Sequence, residues 1–190
     1  MRKFLGVAVL CLSSAAFAEK SRPVSPASHG FLQDHSLSIG VDSDAAIPLG
    51  NYSDVNSVGL GIYALGELAL LDTVSGTLRI GFQAHMDRSI GPIDSHVHAL
   101  PILVGAKAWL GQERQGMFGS FELGLFDLMS SVSNAGQSVT SNDMKFGMGA
   151  GIGYQQSRWN MRVTLYTHDV GHFGNTMMVC GGIGYSFGAL

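Results

Sequence analysis

Cysteine is nearly missing: the 190-residue chain carries Cys11 and Cys180 and no others. Cys11 falls in an N-terminal apolar run that reads as removable, which leaves Cys180 alone and excludes an intramolecular disulfide framework. Charge is scarce too, at 13% of residues against the roughly 25% of ordinary soluble domains. Eleven basic residues stand against 14 acidic ones with no basic run, so the electrostatic footprint that nucleic acid requires is lacking. Beyond residue 18, no uncharged apolar stretch approaches the roughly 20 residues of a membrane-spanning helix. A membrane protein built from this chain therefore has to be a closed β-barrel, the other architecture that satisfies every backbone polar group without water.

What is present starts with "MRKFLGVAVLCLSSAAFAEK". Arg2 and Lys3 precede a short apolar run, and Ala16-Phe17-Ala18 forms a small-x-small cleavage site, so residues 1–18 read as a signal peptide cut after Ala18. The run is too short for a membrane anchor, and Leu10 stands before Cys11 where a lipoprotein signal needs a small residue. Removing Arg2 and Lys3 from the 11 basic residues leaves nine against 14 acidic ones, a net charge near -5. Residues 19–34, "EKSRPVSPASHGFLQD", have Pro23, Pro26 and several serines without an apolar period, and are expected to form a flexible periplasmic leader.

Alternation with period two then recurs eight times, at 35–46, 58–71, 75–86, 98–110, 117–128, 143–155, 159–168 and 176–187. Each segment matches or exceeds the roughly 9–11 residues with which a tilted strand crosses a bilayer. The connections alternate as well. Those near 44–57, 87–97, 129–142 and 169–175 are long, and those near 72–74, 111–116 and 156–158 are short, which sorts long and short ends to opposite sides.

One face of these segments is apolar: Ile39, Val41, Leu60, Ile62, Leu78, Ile80, Ile102, Val104, Phe121, Leu125, Met161, Val163 and Ile183 belong to it. The other carries Ser38, Asp42, Tyr63, Glu67, Arg79, Gln83, Lys107, Glu122, Lys145, Arg162, Thr164 and Tyr166. A water-soluble barrel turns its apolar set inward. Export, scarce charge, eight-fold repetition and sorted connections favour the apolar set outside, facing lipid. Tyr154, Trp159, Tyr185 and Phe187 fall on that face near the short turns, where an interfacial aromatic girdle belongs.

"IPLGNYSD", "GLGIYALGEL", "LPILVGAKAWLG", "FGSFELGLF" and "CGGIGYSF" together resemble the small outer-membrane β-barrel superfamily of Gram-negative bacteria, over about 35–187. The resemblance implies an eight-stranded barrel in the outer membrane with short turns in the periplasm. It also implies recognition by the barrel-assembly machinery, with Phe187 as the terminal aromatic signal.

"MKFGMGAGIGY" places Gly147, Gly149, Gly151 and Gly153 on the inner face. With Gln155 and Arg158 flanking a tight turn, Gly151 is expected opposite Arg162, Gly149 opposite Thr164 and Gly147 opposite Tyr166, the glycines making room for large neighbours. No helix follows "GMGAGIG", which excludes a dinucleotide loop. The same register logic sets Glu67 opposite Arg79 and Lys107 opposite Glu122. Together with Arg162 these form an expected luminal charge network in the short-turn half, since unpaired charges in so narrow an interior are costly.

His85, His96, His98, His168 and His172 gather towards the long-connection end. Imidazoles suit a transition metal or an acid response, but no carboxylate or cysteine completes a ligand set, so no metal and no cofactor is expected. Some small outer-membrane barrels modify lipid A with a histidine and a nearby serine. "YTHDVGH" offers His168 with Val170 where the deacylase pattern has serine, so no catalytic residue is expected. Cys180 reads as an inward packing residue.

The expected protein is thus an all-β, eight-stranded antiparallel up-and-down transmembrane β-barrel over residues 35–190, with a structural or surface-interaction role. A lipid A-modifying enzyme and a small gated channel are the alternatives. Its expected surroundings are outer-membrane lipid and lipopolysaccharide, the latter through divalent cations at Asp44, Asp54, Asp87, Asp94 and Asp169. A monomer is expected.

Overall fold

The computed structural model describes residues 36–111, 114–134 and 137–189; the expected signal peptide and leader lie outside them. The elements are β1 (Leu37–Pro48), α1 (Tyr52–Val55), β2 (Gly59–Leu71), β3 (Val74–His85), β4 (Arg88–Ile90), β5 (Ile93–Trp109), β6 (Gly116–Asn134), β7 (Gln137–Gln156), β8 (Trp159–Thr167) and β9 (Met177–Ala189). A 3-10 segment, Val170–Asn175, lies between β8 and β9. Every long strand pairs antiparallel with its neighbours, β1 pairs with β9, and β3 pairs with β5. That last ladder closes an eight-stranded ring, and closure leaves no open edge around the barrel. The short β4 pairs with β5 above the ring.

Side-chain direction follows the period-two pattern. Leu60, Ile62, Val104, Ile152 and Val163 point outward and are 55–65% exposed, whereas Asp42, Tyr63, Arg79, Lys107, Glu122 and Tyr166 point inward and are at most 5% exposed. This is the reverse of a water-soluble barrel, where the apolar set fills the interior.

Two differences from the sequence expectation concern the long-connection end. The segment 129–142 is not a loop: β6 and β7 pair without interruption from Gly116↔Gln155 to Asn134↔Gln137. Its serines, threonine and asparagines are polar on both faces, which hides the alternation, yet Val132 pairs with Val139 and the ladder runs on. β5 follows β6 as far as Ile93↔Asn134. A sheet of β4, β5, β6 and β7 therefore stands above the ring. β8 pairs with β7 only from Met148 onward, so residues 137–147 pair with β6 on one side and have no strand on the other among the described residues.

The hairpin registers are each displaced by two from expectation. Gly153 faces Arg162, Gly151 faces Thr164 and Gly149 faces Tyr166, because the turn closes on Ser157 and Arg158, with Ser157 in the left-handed conformation at φ 54°. Likewise Arg79 faces Leu65, Glu67 faces Thr77, Lys107 faces Ser120 and Glu122 faces Gly105. A displacement of two keeps each side chain on its face and changes its neighbour.

Candidate functional site

Arg79 lies at the centre of the lumen, 1% exposed. Its Nε is 3.1 Å from Asp42 Oδ2 and its Nη2 is 3.6 Å from Asp44 Oδ2. Nη1 donates to Glu122 Oε2 at 3.0 Å and to the Tyr166 hydroxyl at 2.7 Å. The guanidinium lies 4.0 Å over the Tyr63 ring. Arg162 joins from β8, bonding Asp42 and approaching Glu122 Oε1 at 3.8 Å, and the Tyr166 hydroxyl donates to Glu122. Nearer the short turns, Lys107 Nζ donates to Glu67 Oε2 at 2.8 Å and Gln155 Oε1 at 2.9 Å. The Trp109 and Phe118 rings cover that ammonium at 5.0 and 4.6 Å.

These contacts correct the expected pairs. Arg79 takes Glu122, and Lys107 takes Glu67, across the lumen rather than along a hairpin. The network also occupies two layers and is not confined to the short-turn half. Asp42, Asp44 and Tyr166 complete it. Asp44, expected in an external loop, is a β1 residue buried against Arg79; carrying the strand-one alternation through Ala46 and Pro48 reveals it. Charges in so dry a layer persist because each guanidinium meets carboxylates on several sides.

Outside the barrel, Tyr154, Trp159 and Phe187 are exposed and lie beside the β7–β8 turn. Trp159 and Tyr185 pack edge to face with centroids 4.8 Å apart, and Tyr185 and Phe187 at 5.7 Å.

The five histidines do not form one cluster. His96 and His98 stack outside the sheet at 4.3 Å, with His96 Nδ1 2.6 Å from Asp87 Oδ1. His172 is exposed and, with the Gly171 amide, bonds Asp169; the His172 bond comes first in holding the Asp169 carboxyl below its ordinary range. His85 and His168 lie inside, 3% and 0% exposed. Among the described residues no three His, Cys, Asp or Glu side chains converge as a metal site.

The β1–β2 connection covers this inner pair. Leu49 N–H donates to Met177 O at 2.8 Å, Asn51 Nδ2 to Asn175 Oδ1 at 2.8 Å, Ser95 Oγ to Val55 O at 3.0 Å, and Val97 N–H to Asn56 Oδ1 at 2.7 Å. These bonds hold the single turn of α1 over the mouth and push Tyr52 down until it is 3% exposed. Its ring meets His85 edge-on at 5.7 Å and His168 at 5.3 Å. Tyr52 went unmarked in the sequence because an aromatic in a turn-rich loop has no period to place it.

Known structures supply the comparison. No family model and no curated protein matches the chain. Among solved structures, the attachment invasion locus protein Ail of Yersinia pestis is similar over 80% of this chain and 97% of its own, at 14% identity and a TM-score of 0.54. The N-terminal β-barrel domain of Pseudomonas aeruginosa OprF matches over 81% of this chain and all of its own, at 14% identity and a TM-score of 0.54. The chain has the fold of the small outer-membrane β-barrels. Neisserial surface protein A shares that fold over 80% of this chain and 97% of its own, with a TM-score of 0.50 at 10% identity. At such identities the outer-membrane barrel fold is common ground, and the luminal residues belong to this chain's own side-chain geometry.

Proposed function

We propose that this protein is an outer-membrane barrel with a surface-interaction role, non-catalytic and closed to ions, standing in lipid and lipopolysaccharide with its short turns in the periplasm. The observation that carries the reading is the sheet of β4 to β7 above the ring, with the edge 137–147 open to an added strand. An unpaired edge presents a row of backbone donors and acceptors to an extended segment of another protein. Ail, one structural neighbour, has been crystallised with the heparin analogue sucrose octasulfate. A polyanion suits this chain poorly: its long-connection end carries Asp54, Asp87, Asp94, Asp143 and Asp169 against Arg88 and Lys145. A protein partner is the better fit.

Replacing residues 131–140 by Asn-Gly, a favoured two-residue hairpin turn, removes the outer part of the projection with edge residues 137–140 and leaves the ring. The variant is expected to keep heat-modifiable gel migration and to lose attachment of expressing cells to protein-coated surfaces. Unchanged attachment places the interaction elsewhere. Lipid contact is tested separately. Val163→Arg, on the outer face in mid-strand, is expected to cost about 2–4 kcal/mol in folding titrations into vesicles.

The filled lumen supports the absence of conduction. Eight strands enclose a space just wide enough for side chains, and here the layer of Arg79, Arg162, Asp42 and Glu122 crosses it. Planar-bilayer recordings of pure protein are expected to stay silent; a stable, porin-like conductance favours the channel alternative. Against the lipid A enzyme stands His168, whose ring nitrogens have no hydrogen-bond partner and whose neighbours are the Tyr52 and Phe126 rings. No hydroxyl lies within hydrogen-bond reach of either ring nitrogen, so the histidine has no nucleophile to activate.

A further inference from the structure

Beneath the β1–β2 connection lies a concentration of unmet polar atoms. His85 Nε2 and both ring nitrogens of His168 are buried without a hydrogen-bond partner, and the buried Tyr52 hydroxyl lies beside the Asn56 amide. His85 Nδ1 lies 3.0 Å from Ser57 O; since a carbonyl only accepts, Nδ1 carries the proton and Nε2 is left as a bare acceptor. His168 has no such bond in either direction. Buried polar groups left unmet are a standing cost to the closed arrangement, and adding a proton to either ring places a desolvated cation there.

We propose that residues 49–57 are a lid over the external end of the lumen, latched by Tyr52 on His85 and His168 and released when those imidazoles take up protons. The latch is unusual in having no counter-ion of its own. Around His168 stand Tyr52 from the lid, His85 from β3, and the apolar Phe126 from β6. Around His85 stand Tyr52, His98 from β5 and Asp44 from β1, and Asp44 is already engaged by Arg79. An imidazolium at His168 therefore meets a second imidazole and no carboxylate, and one at His85 meets a carboxylate already paired with Arg79.

Burial first, and His85 second, push the His168 imidazole from 6.5 down to about 3. Closure is accordingly at full strength above pH 6.5 and weakens as the pH falls from 6.5 towards 3, because the open form binds the proton that the closed form refuses. One imidazole raises the open-to-closed ratio about tenfold for each pH unit in that window. Lid release exposes the chamber and stops at the Arg79 layer below, so it brings no conductance.

Cys180 reports the state of the lid. It is 2% exposed and shares one apolar cluster with Tyr52, Ala46 and Met178. The test is the rate at which 4,4′-dithiodipyridine modifies Cys180 in the purified protein in detergent micelles, with Cys180→Ser subtracting any other thiol. Rates are divided by that of Tyr52→Ala at the same pH, which removes the intrinsic chemistry of the thiol. The wild-type ratio is expected to be small at pH 7.5 and to rise at least tenfold by pH 5, while the double variant His85→Gln, His168→Phe stays low at both. A wild-type ratio independent of pH overturns the proposal, as does a double variant that rises equally, or a Tyr52→Ala protein labelled no faster than wild type at pH 7.5. Should the double variant not fold, amide exchange of the wild type decides. Residues 49–57, corrected for intrinsic rates, must lose protection between pH 7.5 and 5 while β8 keeps its own, and equal behaviour of the two overturns the lid.

Discussion

Arg79→Met is expected to lower barrel stability by about 3–5 kcal/mol, measured by urea unfolding in micelles with the gel shift as a second readout. Methionine fills much of the volume and supplies none of the charge. Asp42, Asp44 and Glu122 then share one layer with Arg162 as the remaining guanidinium, and the Tyr166 hydroxyl loses a donor. Stranded buried charges cost far more than the pair itself contributes, because their desolvation is no longer compensated. Adding Asp44→Asn and Glu122→Gln to Arg79→Met is expected to recover part of the loss, since it removes the surplus carboxylates, keeps the shape and leaves Asp42 paired with Arg162. Lys145→Ala is the control: Lys145 and Asp143 pair at 2.8 Å with side chains 34% and 61% exposed, and such solvent-screened pairs contribute little to stability. A loss at Arg79 no greater than at Lys145 means that water enters the layer freely.

Gly149→Leu is the second large effect, expected to destabilise by at least about 3 kcal/mol or to stop folding, since overpacking of one or two methylenes already costs about 1–3 kcal/mol. A Cβ at Gly149 overlaps the Tyr166 ring, and that ring holds the hydroxyl shared by Arg79 and Glu122. Gly151 is similarly crowded, its Cβ falling 2.6 Å from Thr164 Oγ1 and from Val163 O. Gly119 and Gly181 face outward with nothing within 4 Å, so leucine there is expected to fold normally and adds apolar surface on the lipid side. Equal tolerance at Gly149 and Gly181, judged by heat-modifiable migration, reverses the inside and the outside.

The fold was largely legible because a period of two survives almost any mistake about loops. Ile62, Val104 and Val163 belong to the apolar outer face in any even register, and Arg79, Glu122 and Arg162 to the inner one. The candidate site was less legible. Glu67 with Arg79, and Lys107 with Glu122, are reasonable hairpin neighbours, but a turn centred one residue earlier in the chain moves the register by two and separates both pairs. Residues 129–142 read as a loop because Ser130, Ser131, Ser138 and Ser141 give neither face an apolar mark, although Val132 and Val139 were there to pair.

The amino-acid order by itself determined the eight strands of the ring, their alternation, the apolar exterior and the inventory of inward charges, since these depend only on side-chain parity along a strand. The tertiary structure alone decided who meets whom. In a ring of eight strands the inward side chains reach past their hairpin partners to the opposite wall, so that Arg79 of β3 finds Asp42 of β1, Glu122 of β6 and Tyr166 of β8. The same closure brought Tyr52 down between His85 and His168. No spacing along the chain encodes such meetings, because they depend on the curvature of the sheet and the shear of its strands.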